Sequence, residues 1–301
     1  MEVRTMEMND LDPTGPGLRI PASPEVLAHT GRARTANRAA SVLSVAIAGV
    51  MVAASAIGLF VPDLYEEGAW AREALRGGDL VTLVLAVPLL LGSLWLAARG
   101  SRRARAVWIG MLAYAVYNSA FSALGTTFND AFLLHIALLS MSIFALACAI
   151  VSTDLVATST AFRGVRGARW VGLFLAVVGG AQGALWVIVI ARNAVTGELI
   201  ADVPAAGQHL VFALDLAFLV PSLVLSGVLL FRRLPLGFLL GTAMASMGAV
   251  YQVNMSVAAV FQDRAGVVGA TAFAPESVGL TISFAVAALV LLAPRKEPMP
   301  G

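Results

Sequence analysis

Charge is scarce in this sequence. Of its 301 residues only 13% are Asp, Glu, Lys or Arg, and 59% are hydrophobic. A soluble domain averages about 25% charged residues, so the shortage excludes an ordinary soluble fold and points to a membrane protein. Lysine is scarcer still: Lys296, near the C-terminal end, is the only one, which excludes a retinal Schiff base within a helical bundle. The net charge of +2 gives no strong basic field, and no nucleic-acid partner is expected. A single cysteine, Cys148, excludes an internal disulfide, a CxxC redox or zinc motif and a quinone-linked disulfide oxidoreductase. It sits in an apolar run and reads as a small packing residue. There is no Walker A sequence and no HExxH pair, so the chain is not by itself an ATP-driven pump, nor a zinc protease of that type. No Arg-rich amphipathic helix of the voltage-sensor kind is present.

What the sequence does have is long apolar runs. Eight of them, at 40–61, 80–98, 107–125, 131–151, 170–191, 209–231, 236–259 and 277–293, approach or exceed the ~20 residues a spanning helix needs. The expectation is an all-α polytopic bundle of eight transmembrane helices in contact with the lipid bilayer. The first run follows a polar stretch with Pro13, Pro16, Pro21 and Pro24, so it is not a cleavable signal. Residues 1–39 read as a disordered cytoplasmic tail, 152–169 as a cytoplasmic linker and 294–301 as a cytoplasmic C-terminal tail.

Orientation follows from Lys and Arg in the loops. The N-terminal tail, the loops after the second, fourth and sixth runs, and the C-terminal tail together carry 16. The opposite side carries four: Arg72, Arg76, Arg192 and Arg264. This alternation at every crossing supports eight helices and cytoplasmic termini, and the expected location is the plasma membrane.

The two halves echo one another. Asp79 precedes Asn118 by 39 residues, and Asp215 precedes Asn254 by the same 39. Pro88 interrupts the second helix and Pro221 the sixth, and a tyrosine (Tyr114, Tyr251) lies one turn before each Asn. The reading is two tandem parallel four-helix repeats, 40–151 and 170–293, related by an axis along the membrane normal. The prolines are three residues out of step with the Asp–Asn pairs, and coincidence among Ala- and Leu-rich helices is the competing explanation.

Depth counted at about 1.5 Å per residue places the strong polar groups on one side. Tyr117, Asn118, His135, Asp215, Tyr251 and Asn254 fall in the outer halves of the third, fourth, sixth and seventh helices. Asp79 and Asn129 lie at the outer boundary, and Gln182 near the middle of the fifth helix. The inner half of the fourth, sixth and eighth runs carries no ionisable group. Buried polar groups need partners, so the six are expected to converge, with Asp79 at the rim, on one exterior-facing pocket. Asp215 would be its anchor and His135 the proton partner. An acid inside a membrane is expensive and usually faces a cavity or a partner. The plainer readings are that Asn118 and Asn254 are interhelical hydrogen-bond glue and that His135 bonds a backbone carbonyl or a neighbouring Asn. Tyr65, Trp70 and Trp170 read as interfacial belt residues. Gly179 with Gly183, and Gly241 with Ala245, read as close helix packing.

The segments AYAVYNSAFSALGTTFNDAFLLHIALLSMSIFALA and GGDLVTLVLAVPLLLGSLWLAARGSRRARAVWIG resemble a group of uncharacterised bacterial multi-pass membrane proteins, with a weaker echo at LDLAFLVPSLVLSGVLLFRRLPLG. The resemblance covers mainly the first four helices and implies no activity. The leading expectation is therefore a binding or transport protein without catalytic residues or cofactor. Its ligand would be a small polar solute, a cation or a lipid head group. The alternatives are a membrane haem, metal or redox enzyme using His135 and His209, and a non-catalytic sensor or assembly subunit.

Overall fold

The structure, a computed structural model, describes residues 24–162, 164–198, 200 and 204–293. All regular elements among them are helical, and eight helices are long and apolar enough to cross a membrane. They are Pro24–Phe60, Ala69–Ala98, Arg102–Gly125, Phe132–Val151, Ala168–Thr196, Gly207–Phe231, Pro235–Arg264 and Pro275–Leu292. The protein is an integral membrane protein, and the apolar side chains exposed along these helices, such as Val84, Leu133, Ile188 and Leu289, meet the lipid.

Local chemistry sets the helix ends. Ser101 caps the third helix by accepting from Ala104 N at 3.2 Å. The seventh and eighth begin on Pro235 and Pro275, whose fixed φ suits the first turn. The fifth starts after Gly167 and stops at Gly197, both at positive φ. The linker holds a short helix, Leu155–Ala161, capped by Asp154 accepting from Ala157 N at 3.0 Å. The first helix corrects the expected tail boundary. It is helical from Pro24, 37 residues in all, because Pro24 can open a helix and no further proline follows until Pro62. At roughly 55 Å it outreaches a hydrocarbon core of about 30 Å. The rest of the expected tail, residues 1–23, and the C-terminal tail, 294–301, lie outside the described residues.

The third and seventh helices are central. Their apolar windows are 61% and 67% buried, against 17–39% for the other six. In the first half the first helix packs on the second and fourth, and the third on the second and fourth. In the second half the fifth packs on the sixth and eighth, and the seventh on the sixth and eighth. The halves join through the third with the seventh, the second with the seventh, and the third with the sixth. Small residues permit this closeness. A Cβ on Gly110 would lie 2.4 Å from the Ala243 carbonyl oxygen, and one on Gly77 would lie 2.7 Å from Ala258 Cα. Gly179 and Gly183 do pack closely, against Leu223 and Val220.

Arginine holds the end that carries most of the positive charge. Arg105 donates to Thr153 Oγ1 (2.7 Å), Asn37 Oδ1 (2.8 Å), Ser152 Oγ (2.8 Å) and the Ala149 carbonyl (3.2 Å), tying the first, third and fourth helices. Arg103 donates to the carbonyls of Ala161 and Leu292 at 3.2 Å. The opposite end contains the cavity that Asp215 lines.

The second and sixth helices share an irregularity. Each contains a five-residue π turn, Thr82–Ala86 and Asp215–Leu219, followed at once by Val-Pro. Val87 N donates to the Thr82 carbonyl and Val220 N to the Asp215 carbonyl, each five residues back. Proline offers no N–H and its ring crowds the carbonyl four residues earlier. Widening the preceding turn by one residue relieves that clash.

Candidate functional site

Asp215 opens the π turn of the sixth helix and is fully buried. Three side chains from two other helices serve its carboxylate. Tyr117 Oη of the third helix donates to Oδ1 at 2.5 Å. Gln182 Nε2 and Trp186 Nε1, one turn apart on the fifth, donate to Oδ2 at 2.9 and 2.8 Å. Hydrogen bonds to an ionised acceptor are the strong ones, and a buried carboxylate without a cation nearby depends on them. Tyr251 of the seventh helix meets the Tyr117 ring edge-on, centroids 5.2 Å apart at 79°.

These groups lie along a cavity of about 390 Å³. Its walls come from the second, third, fifth, sixth, seventh and eighth helices, all at the end opposite the Arg-rich loops. Asp79, Tyr117, Asn118, Asp215, Tyr251 and Asn254 all line it. Trp70, Phe121, Trp186 and Phe212 supply aromatic wall. Two carboxylates line the cavity, and among the described residues no Lys, Arg or His does.

The second acid, Asp79, has its own arrangement. Tyr65 Oη donates to Asp79 Oδ2 at 2.8 Å. Gly58 makes room for the pair, since a Cβ there would lie 2.0 Å from Asp79 Oδ2. Burial, and then the neighbouring Asp79 carboxylate, push the Tyr65 phenol far above its ordinary range, so it stays a donor. Asn254 Nδ2 donates to Tyr114 Oη and to Asn118 Oδ1, both at 3.3 Å. The two asparagines thus join the third and seventh helices while also facing the cavity.

Three polar residues singled out in the sequence stand elsewhere. His135 is buried on the fourth helix, its Nδ1 without a partner, and does not line the cavity. The expected proton partner of Asp215 is replaced by Tyr117, Gln182 and Trp186. Asn129 shapes the turn before the fourth helix, its Oδ1 accepting from Ala131 N at 3.0 Å. His209 is exposed on the sixth helix, in a groove with Ile190 and Asn193 of the fifth, and His135 does not line that groove. Among the described residues no group of three or more His, Cys, Asp or Glu side chains is placed to hold a metal ion. Sequence reasoning missed Trp186 and Tyr65. Trp186 lies one turn from Gln182, a spacing that puts both on one face of the fifth helix. Tyr65, read as an interfacial residue, is only 3% exposed. Trp170 is 75% exposed, as an interfacial residue would be.

In comparisons with protein-family models, curated proteins and solved structures, nothing matches the chain.

Proposed function

We propose that this membrane protein binds a small cation in the cavity anchored by Asp215, as a transport or binding protein of the plasma membrane. One observation carries the reading: two carboxylates line the cavity, and none of its described lining residues is basic. In a low-dielectric surround such a site favours positive charge. The Arg-rich loops at the other end support cytoplasmic termini, so that the cavity opens outwards. The volume suits a small organic ligand.

Binding of a ligand to the native state raises its thermal stability. The test is the melting temperature of the purified protein with a panel of inorganic and organic cations, set against neutral and anionic solutes of similar size. Cations alone should raise it, the rise should vanish in Asp215→Asn, and it should persist in Asp215→Glu. Equal stabilisation of wild type and Asp215→Asn, or stabilisation by anions, sinks the proposal.

A further inference from the structure

The acceptors left open in the cavity narrow the ligand further, an inference that rests on the cation reading. Asp215 Oδ2 already accepts from Gln182 and Trp186, whereas Oδ1 accepts only from Tyr117. A carboxylate oxygen has two acceptor positions, so Oδ1 keeps one. Asn254 is 5% exposed, and its Oδ1 is buried with no donor although its Nδ2 is engaged twice. That oxygen lies against Gly78, where a Cβ would approach within 3.1 Å, and Gly78 also lines the cavity. A buried acceptor without a donor is costly unless something supplies one. Asn254 lies one turn beyond Tyr251, whose ring meets that of Tyr117, the residue bonded to Asp215. Both acceptors belong to residues that line the cavity.

We propose that the ligand is a primary or secondary ammonium with an apolar, preferably aromatic, body. Its N–H groups donate to Asp215 Oδ1 and Asn254 Oδ1. Its body lies among Trp70, Phe121, Trp186 and Phe212, where ring faces favour both apolar surface and positive charge. A hard metal ion fits less well, because it requires a shell of six or more oxygens.

The test uses the full chain in lipid nanodiscs, with calorimetry and tryptophan emission as readouts, since Trp70 and Trp186 face the ligand. The probes are phenethylamine, its N,N,N-trimethyl derivative and 2-phenylethanol. Phenethylamine should bind at least about tenfold more tightly than either of the others, the effect of one lost hydrogen bond to a charged group. Asn254→Ala should reduce the preference for phenethylamine over the trimethyl derivative. If the trimethyl derivative binds as well as the amine, the N–H inference falls while the cation reading stands. If the neutral alcohol binds as well as the amine, both fall. If no probe binds, this inference falls, and the wider cation panel decides the reading beneath it. The wild-type comparison needs no variant, so a folding defect in Asn254→Ala leaves the test intact.

Discussion

Asp215 has three side-chain donors among the described residues, and each can be removed singly. Tyr117→Phe strips Oδ1 of the one donor it has among the described residues, in a fully buried setting. The loss should be about 1–3 kcal/mol of stability, read from denaturation in detergent; an unchanged midpoint would show the bond to be incidental. Tyr65 gives a pH-dependent case. Its folded-state proton is held far above the ordinary phenol range, while the unfolded phenol titrates near pH 10. Its contribution is therefore complete below about pH 10 and declines as pH rises beyond that. The stability advantage of wild type over Tyr65→Phe should shrink above that pH, and parallel curves through pH 11 would count against the assignment. Six of the seven residues expected in the pocket do line it, because counting along a helix gives depth and desolvation restricts where polar groups can point. His135 shows the limit of that reasoning. Its depth was legible, but its direction around the fourth helix depends on how that helix packs against the first and third. Trp186 and Tyr65 were hidden for a related reason, since a buried aromatic donor and an interfacial aromatic look alike in sequence.

The paired π turns explain how a helix brings a carboxylate into the core. One extra residue in a turn offsets the helix by about 100°. The side chains before Pro88 and Pro221 are thereby presented at a different angle from those after them. The prolines were legible in the sequence; the widened turns were not, since a proline can equally produce a kink or a water-filled gap. Pro221→Ala restores an N–H to the sixth helix and removes the ring clash. The expected result is a more regular helix, a rotated Asp215 and cation binding weakened by about tenfold or more, the effect of losing one charged hydrogen bond. Helical content by circular dichroism should stay unchanged. Unaltered affinity would mean that Tyr117, Gln182 and Trp186 fix Asp215 without help from the π turn. The close helix crossings allow a second test. Gly110→Val would force the third and seventh helices apart at Ala243 and should lower stability by about 1–3 kcal/mol or more, visible as a lower melting temperature.

At the scale of the whole molecule, the four neighbour pairs of the first group recur in the second, which adds a contact between the fifth and seventh helices, and the two central helices join the groups. That pattern supports the proposal of two parallel repeats, but in a register different from the one the acids suggest. The π turns and prolines recur after 133 residues, Thr82 to Asp215 and Pro88 to Pro221, whereas the Asp79–Asp215 and Asn118–Asn254 pairs recur after 136. Backbone superposition of 40–151 on 170–293 should place Thr82, not Asp79, on Asp215. The anchoring acid would then belong to the second half alone, so the site would be asymmetric within a symmetric frame. An even number of crossings in each half also bears on the proposed topology. Four helices would return the chain to its starting side, so both halves would enter the membrane from the same face, and the 16 to 4 division of Lys and Arg supports the proposal that this face is cytoplasmic. Gly197, between the fifth and sixth helices, should then lie outside, and Arg233, between the sixth and seventh, inside. Reporter fusions truncated at these two positions should give opposite signals. The same side for both would remove the sixth helix as a crossing and with it the parallel repeat. Opposite sides in the reverse sense would keep the bundle but turn the Asp215 cavity towards the cytoplasm, and an external cation could then not reach it.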